Sequence, residues 1–272
     1  MAPPPPPTPF QVLVFTRTAA YRHESIPAGI AALARLSAAS LCQGSSTPSG
    51  LTSPVPFTTH ATEDASIFHP STLAPFTVIV LLNTSGTFLS GPQLAALRDY
   101  VHRGGGVVGV HCATTGMLEL DADPERWYAR LLGAEFNGHP VPQQGVVSVV
   151  DADHGIVKGS VEKGKGKWWV AGEKKAGEER SEGDWRWGWF DEWYNFKANP
   201  KSVGDVHVLL SVDEGSYEGG EHGADHPIAW CQEFEGGRSF YTALGHFDEA
   251  YQDEAFMRQL LNGILWAARI IE

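Results

Sequence analysis

Positive charge is scarce in this chain. There are 20 Lys and Arg against 32 Asp and Glu, a net charge of −12 over 272 residues. No basic patch is visible, so the electrostatic footprint of a nucleic-acid binder is missing, and phosphate-rich partners are disfavoured. Cysteine is rarer still. Cys42, Cys112 and Cys231 make an odd set whose spacings match no zinc pattern. They read as reduced thiols, and the expected compartment is the cytoplasm. Long apolar runs are missing as well. No window approaches the ~18 residues of a membrane span, so no membrane partner is expected. The opening "MAPPPPPTP" has no basic segment followed by an apolar one, so it is not expected to be a secretory signal. Residues 1–9 read as a disordered, proline-rich tail. No H-E-x-x-H or similar local spacing of metal ligands occurs. No internal repeat or linker divides the remainder, so residues 10–272 are expected to form one domain. A homodimer is the default expectation for its assembly.

What is present suits a globular α/β protein. "FQVLVFT" (Phe10 to Thr16), "VPFTTHA", "FTVIVLLNT" (Phe76 to Thr84) and "GVVGVH" are short apolar runs that read as strands. "IPAGIAALARLSAASL" has helical spacing with Pro27 at its start. "SGPQLAALRDYVHRGGG" is a helix that Ser90 can cap and the Gly104–Gly106 run ends. Strands alternating with helices predict a parallel sheet wound on both faces. Ligands in such sheets lie beyond the C-terminal strand ends. That places Thr16 to Ser25, Asn83 to Gly86 and His111 to Gly116 on one rim. The second half reads differently. "GVVSVVDADHGIVKG", "VHVLLSVD", "IAWCQEF" and "GGRSFYTALGH" suggest further strands, one of them entered through a hairpin turn. Residues 161–184 read as an exposed charged excursion, and Glu214 to Asp225 as an acidic, glycine-rich loop. "DEAFMRQLLNGILWAARII" closes the chain as an amphipathic helix.

Several side chains could carry chemistry at that rim. Gly109, Val110, His111, Cys112 and Ala113 fill the frame of a nucleophile elbow, with His111 at the apex. An imidazole there is a general base, a general acid or a metal ligand. Neighbours on a strand point oppositely, so Cys112 is expected on the packing side as an inert thiol. After the first strand, Arg22 and His23 lie in a loop fit for binding. His139 follows Gly138, His154 lies in "DADHGI", and His246 follows Gly245 at another strand end. Five loop or strand-end histidines could gather at one rim, and three of them with a carboxylate would make a zinc-type site. In "FDEWYNF", Asp191 and Glu192 stand among aromatics. A carboxyl held against apolar rings has its acid form favoured, as a general acid needs. The nine Trp residues are core, or flat surfaces for sugar rings.

Taken in order, "GGGVVGVHCAT", "GHP", "WWVAGEK" before "DEWYNF", and "HPIAWCQEFEGGRSFYTALGH" resemble the ThuA-like family, named for trehalose utilisation. The resemblance runs from about Phe10 to Ala268. It implies a flavodoxin-like, three-layer α/β fold like that of class I glutamine amidotransferases, with an added antiparallel segment in the C-terminal half. In those amidotransferases the elbow holds a catalytic cysteine. His111 stands at that position here, which speaks against glutamine hydrolysis. The resemblance also implies a small-molecule carbohydrate substrate, with a 3-keto-sugar as intermediate.

The first expectation is therefore a lyase, isomerase or hydrolase acting on a disaccharide, glycoside or 3-keto-sugar by acid/base chemistry. His111 is the expected base and Glu192 the acid, with His139 and His246 assisting. His23, Arg22, Asn83, Trp193 and Tyr194 are expected to bind substrate. The alternatives are a metal-dependent hydrolase using two or three of the histidines with Glu192, and a non-catalytic sugar-binding protein. The cofactor stays open, with a divalent metal as one candidate.

Overall fold

The computed structural model describes residues 9–41, 55–119, 122–159 and 185–272. The excursion at 161–184, Cys42 and residues 1–8 of the tail lie outside these. The four apolar runs of the first half form β1 (Phe10–Phe15), β2 (Phe57–Thr62), β3 (Phe76–Leu82) and β4 (Gly106–Val110). Between them lie α1 (Ile26–Leu41), the single turn α2 (Pro70–Leu73) and α3 (Gly91–His102). Val12 to Phe15, Val78 to Leu82 and all of β4 are buried, as strands covered on both faces must be. α3 starts where the Ser90 N–H donates to Oε1 of Gln93 at 2.9 Å, one half of a capping box.

The second half holds α4 (Trp127–Leu132), β5 (Phe136–Gly138), β6 (Gln143–Val149), β7 (Arg186–Asp191), β8 (Asn195–Phe196) and α5 (Pro200–Val203). It continues through β9 (His207–Asp213), β10 (Pro227–Phe234), β11 (Gly237–Thr242) and α6 (Glu254–Ala267). One nine-stranded sheet runs in the order β2-β1-β3-β4-β11-β10-β9-β6-β7. It is parallel from β2 to β11 and antiparallel from β11 to β7. The fold is thus mixed α/β, with the strand order reversing between β1 and β3. Such a switch point opens a crevice at the C-terminal strand ends.

Helices cover both faces of the parallel half. A Cβ on Gly106 would meet Ala267 of α6, and one on Gly109 would meet Leu132 of α4. These two glycines lie on opposite faces of β4 because strand residues alternate. Loops after β1, β3 and β4 are tied by bridges Thr18↔Ser85 and Gly86↔Gly116. The loop after β11 joins them on the same rim. Among the described residues, no helix is long and apolar enough to cross a membrane.

Candidate functional site

β4 stops at Val110, and His111 turns off the strand at φ 51°. That left-handed conformation is uncommon for a side chain with a Cβ, and it gives the elbow its sharp apex. The turn needs room beside it. A Cβ on Gly109 would lie 3.0 Å from Leu132 and 3.1 Å from Tyr241. The Tyr241 hydroxyl donates to the His111 carbonyl at 2.7 Å and holds the turn in place. Nδ1 of His111 lies 2.7 Å from the Ala243 carbonyl oxygen. A carbonyl only accepts, so Nδ1 carries the proton and Nε2 presents a lone pair.

Three other side chains converge on that lone pair. Nε2 of His23 is 3.1 Å away and Nδ1 of His246 is 3.3 Å away. Oε2 of Glu192 lies 3.3 Å from His111, 3.1 Å from His246 and 3.9 Å from His23. All four donor atoms lie within 4.8 Å of one another. His23 comes from the loop after β1, His246 from the loop after β11 and Glu192 from the residue that follows β7. Residues 23, 111, 192 and 246 therefore meet only because the sheet brings distant strands to one rim. The Tyr194 hydroxyl adds a fifth polar atom, 2.9 Å from Nε2 of His111.

The electrostatics correct one expectation. Burial pushes the Glu192 carboxyl up, as its aromatic neighbours suggest, but the facing His111, His23 and His246 imidazoles outweigh it. The group is held well below the usual carboxylate range. That favours the ionised carboxylate, whereas the acid role expected from the sequence needs the protonated form. His23 is lowered to about 4, chiefly by burial, with Glu192 partly opposing and the other two imidazoles adding to the effect. Burial, then the nearby Cys112 and Glu192, push the Tyr194 phenol well above its ordinary value. His111 is fully buried and its Nε2 is already surrounded.

The remaining expected residues divide. His139 stands at the mouth, with Nε2 3.5 Å from Oε1 of Glu192 and its ring stacked on Tyr194. Cys112 does not turn away from the site as expected. Its Sγ lies 3.2 Å from Nδ1 of His23 and donates to the Thr84 carbonyl at 3.5 Å. Trp193 is turned out of the site. It packs on Gly145 and Tyr217 and donates to the Gln143 carbonyl, because it alternates with Glu192 and Tyr194 on either side. Arg22 is exposed and paired with Glu63 at 2.6 Å. Asn83 is buried beneath the rim, donating to Oγ of Ser25 at 3.1 Å. His154 is elsewhere, stacked on His207. Asp191 turns out to be central, although only its neighbour was chosen from the sequence. Its Oδ1 accepts from the backbone N–H of Glu192 and His246, and its Oδ2 from Gly245 N–H and Trp189 Nε1. It thereby locks two strand ends together.

The donor set fits a divalent transition metal. Lone pairs and a carboxylate facing one another without a cation repel, and a single proton pairs only two of them. Three imidazoles and a carboxylate are ordinary zinc ligands. With bonds near 2.05 Å, a tetrahedral zinc site has donor–donor edges of about 3.3 Å. Five of the six edges here are 3.1, 3.1, 3.3, 3.3 and 3.9 Å, and the sixth, between His23 and His246, is within 4.8 Å. The bond from His111 Nδ1 to a backbone carbonyl is the outer contact that orients a metal-binding histidine. Manganese, iron, cobalt and nickel accept the same donor types.

Solved structures share this fold. A ThuA-like protein from Bacteroides uniformis is 22% identical, with a TM-score of 0.67 over 98% of this chain and 94% of its own. Another from Parabacteroides merdae is 18% identical, with a TM-score of 0.64 over 96% and 90%. A beta-galactosidase from Bacillus circulans sp. alkalophilus is 12% identical, with a TM-score of 0.53, matching 94% of this chain but 31% of its own. No functionally curated protein matches in sequence. The family described as trehalose utilisation, ThuA, matches residues 11–174 and 178–267. The chain belongs to the ThuA family.

Proposed function

We propose that this protein is a carbohydrate-metabolism enzyme whose working site is a divalent metal held by His23, His111, Glu192 and His246. The observation that carries this reading is the convergence of four donor atoms, three imidazole nitrogens and a carboxylate oxygen, within 4.8 Å of one another. The substrate class is a disaccharide, glycoside or 3-keto-sugar, and the reaction is a lysis, isomerisation or hydrolysis. The family's link to trehalose utilisation supports that class. The sheet order supports a class I glutamine amidotransferase-like fold and a single domain over 10–272. Free Cys112 and Cys231 support a cytoplasmic setting.

A divalent ion at this position supplies a Lewis acid that polarises a carbonyl or hydroxyl oxygen of the substrate. The chain's own residues handle the protons. His139 Nδ1–H donates to the Pro140 carbonyl at 2.8 Å, which leaves Nε2 as its basic atom, facing Oε1 of Glu192. His139 is about one-third exposed, so Nε2 can take a proton from substrate and return it. The buried Tyr194 hydroxyl keeps its proton.

Elemental analysis before and after chelation is the first test, with one divalent ion per chain expected. Trehalose, other disaccharides and their 3-keto forms are then screened with loaded and stripped protein. A chain that neither retains nor rebinds a divalent metal overturns the assignment. Saturable sugar binding without product in the loaded protein would favour the non-catalytic alternative. His139→Ala is expected to lower kcat by roughly 10²–10⁴-fold with metal content unchanged. Full turnover by that variant removes His139 from proton transfer.

A further inference from the structure

The loop from Glu214 to Asp225 reads in sequence as an acidic, glycine-rich connection between β9 and β10. In the structure it is bound tightly to the segment that carries Tyr194. The Glu214 carboxylate accepts the backbone N–H of His222 at 2.7 Å and of Gly223 at 2.8 Å. It also lies 2.7 Å from Nδ1 of His226, a fully buried residue. Nε2 of His226 lies 2.9 Å from the Tyr194 carbonyl oxygen. That oxygen only accepts, so Nε2 donates to it. The next two residues are held as well. Asn195 Nδ2 donates to the Gly219 carbonyl, and Asn195 Oδ1 accepts from Glu221 N–H. The Phe196 N–H donates to Nε2 of His222 at 3.0 Å.

This concentration of polar contacts needs a reason. β8 has two residues and pairs with β5 in a separate two-stranded sheet. A pairing that short is marginal by itself. Yet it must set the height of Tyr194, whose hydroxyl touches His111 Nε2, and it lies beside His139. A buried imidazole–carboxylate pair gives little net stability compared with apolar packing. Directional bonds to one carbonyl do fix a backbone position, and misplacement by about 1 Å is costly at a reacting centre.

We propose that Glu214 and His226 are positioning residues that set the place of the Tyr194 side chain against the His111 ring. This rests on the reading that His111 belongs to the working site.

The test is a long-range proton–nitrogen NMR spectrum of the histidine rings, recorded on the full chain after chelation. Wild type is compared with Tyr194→Phe, His226→Gln and Glu214→Gln, and His111→Gln identifies the His111 signals. Tyr194→Phe is expected to move the His111 Nε2 resonance. Both loop variants are expected to move it in the same direction by a smaller amount. A folded Glu214→Gln or His226→Gln with the wild-type His111 resonance overturns the proposal, even if its unfolding midpoint falls. So does an unmoved resonance in Tyr194→Phe. If His226→Gln does not fold, Glu214→Gln decides, because it keeps the shape and an acceptor. The spectrum needs no metal. Coupled resonances in a chain that binds no ion would sink the metal reading and leave this one intact.

Discussion

Cys112 shows how a single side chain can look catalytic and be otherwise. It stands one residue past the elbow apex and touches an imidazole, His23. Burial pushes its thiol well up, and the Glu192 charge adds to the effect. The thiolate is the reactive form, so this sulfur is inert at neutral pH and serves as a backstop for the His23 ring. Iodoacetamide at pH 7.5 should spare Cys112 in the native chain and label it after unfolding, as read by peptide mass mapping. Cys112→Ala should weaken zinc binding by about 10-fold, in the range of losses from an outer contact to a ligand. Rapid labelling of native Cys112 would restore the nucleophile reading. The site itself was largely legible. His23, His111, His139, Glu192, Tyr194 and His246 all lie in loops or strand ends beside small residues or aromatics, and the structure brings them together. The protonation of Glu192 was not legible. Its aromatic neighbours are local in sequence, whereas the imidazoles that hold it ionised come from positions 23, 111 and 246. Trp193 was misjudged because alternation turns it away from the two residues that flank it.

At the scale of elements, the site depends on how the ends of β7 and β11 are joined. Gly245 adopts φ 114°, a backbone conformation that favours glycine, and this aims the next residue, His246, at Glu192. Asp191 secures the turn by accepting from three backbone N–H groups and one indole. Asp191→Ala would leave those buried donors without a partner. Each orphaned donor costs about 1–3 kcal/mol, so a loss of roughly 3 kcal/mol or more is expected from urea unfolding at pH 7, along with weaker metal retention. A variant as stable as wild type would show that water replaces the carboxylate and that the turn holds itself. Such links escape sequence reading because residue 191 is beside residue 245 only in three dimensions. α4 escaped for another reason. It has six residues and no hydrophobic period of its own. It is started by Asp123, whose carboxylate accepts from Trp127 N–H and Tyr128 N–H.

For the whole molecule, the parallel half was legible because β1 to β4 alternate with helices locally. The antiparallel half was visible only as separate strands. β11 forms a hairpin with β10, as its turn residues suggest, and also pairs in parallel with β4, far away in sequence. Carboxylates tie these distant parts together, and this gives the fold an acid limit. Glu235 in the β10–β11 turn accepts from Trp127 Nε1 at 2.8 Å and pairs with His102 Nε2 at 2.6 Å, so it joins the hairpin to α4 and α3. Burial raises its carboxyl, but the bonds from Trp127 and His102 and the nearby Arg98 bring it below the ordinary range. Glu233 is lowered in the same way, its burial outweighed by Arg238 and Arg269. A carboxyl lowered in the native state binds protons less readily than in the unfolded chain. Its stabilisation is complete above the unfolded value of about 4.3 and is lost as pH falls through the native value. Both groups are partly exposed, so each contribution is modest. The urea midpoint is expected to fall between pH 5 and pH 3. Glu235→Gln should start lower at pH 7 and lose less over that interval. If the variant loses as much as wild type, Glu235 does not join these elements, and the acid limit lies with other carboxylates.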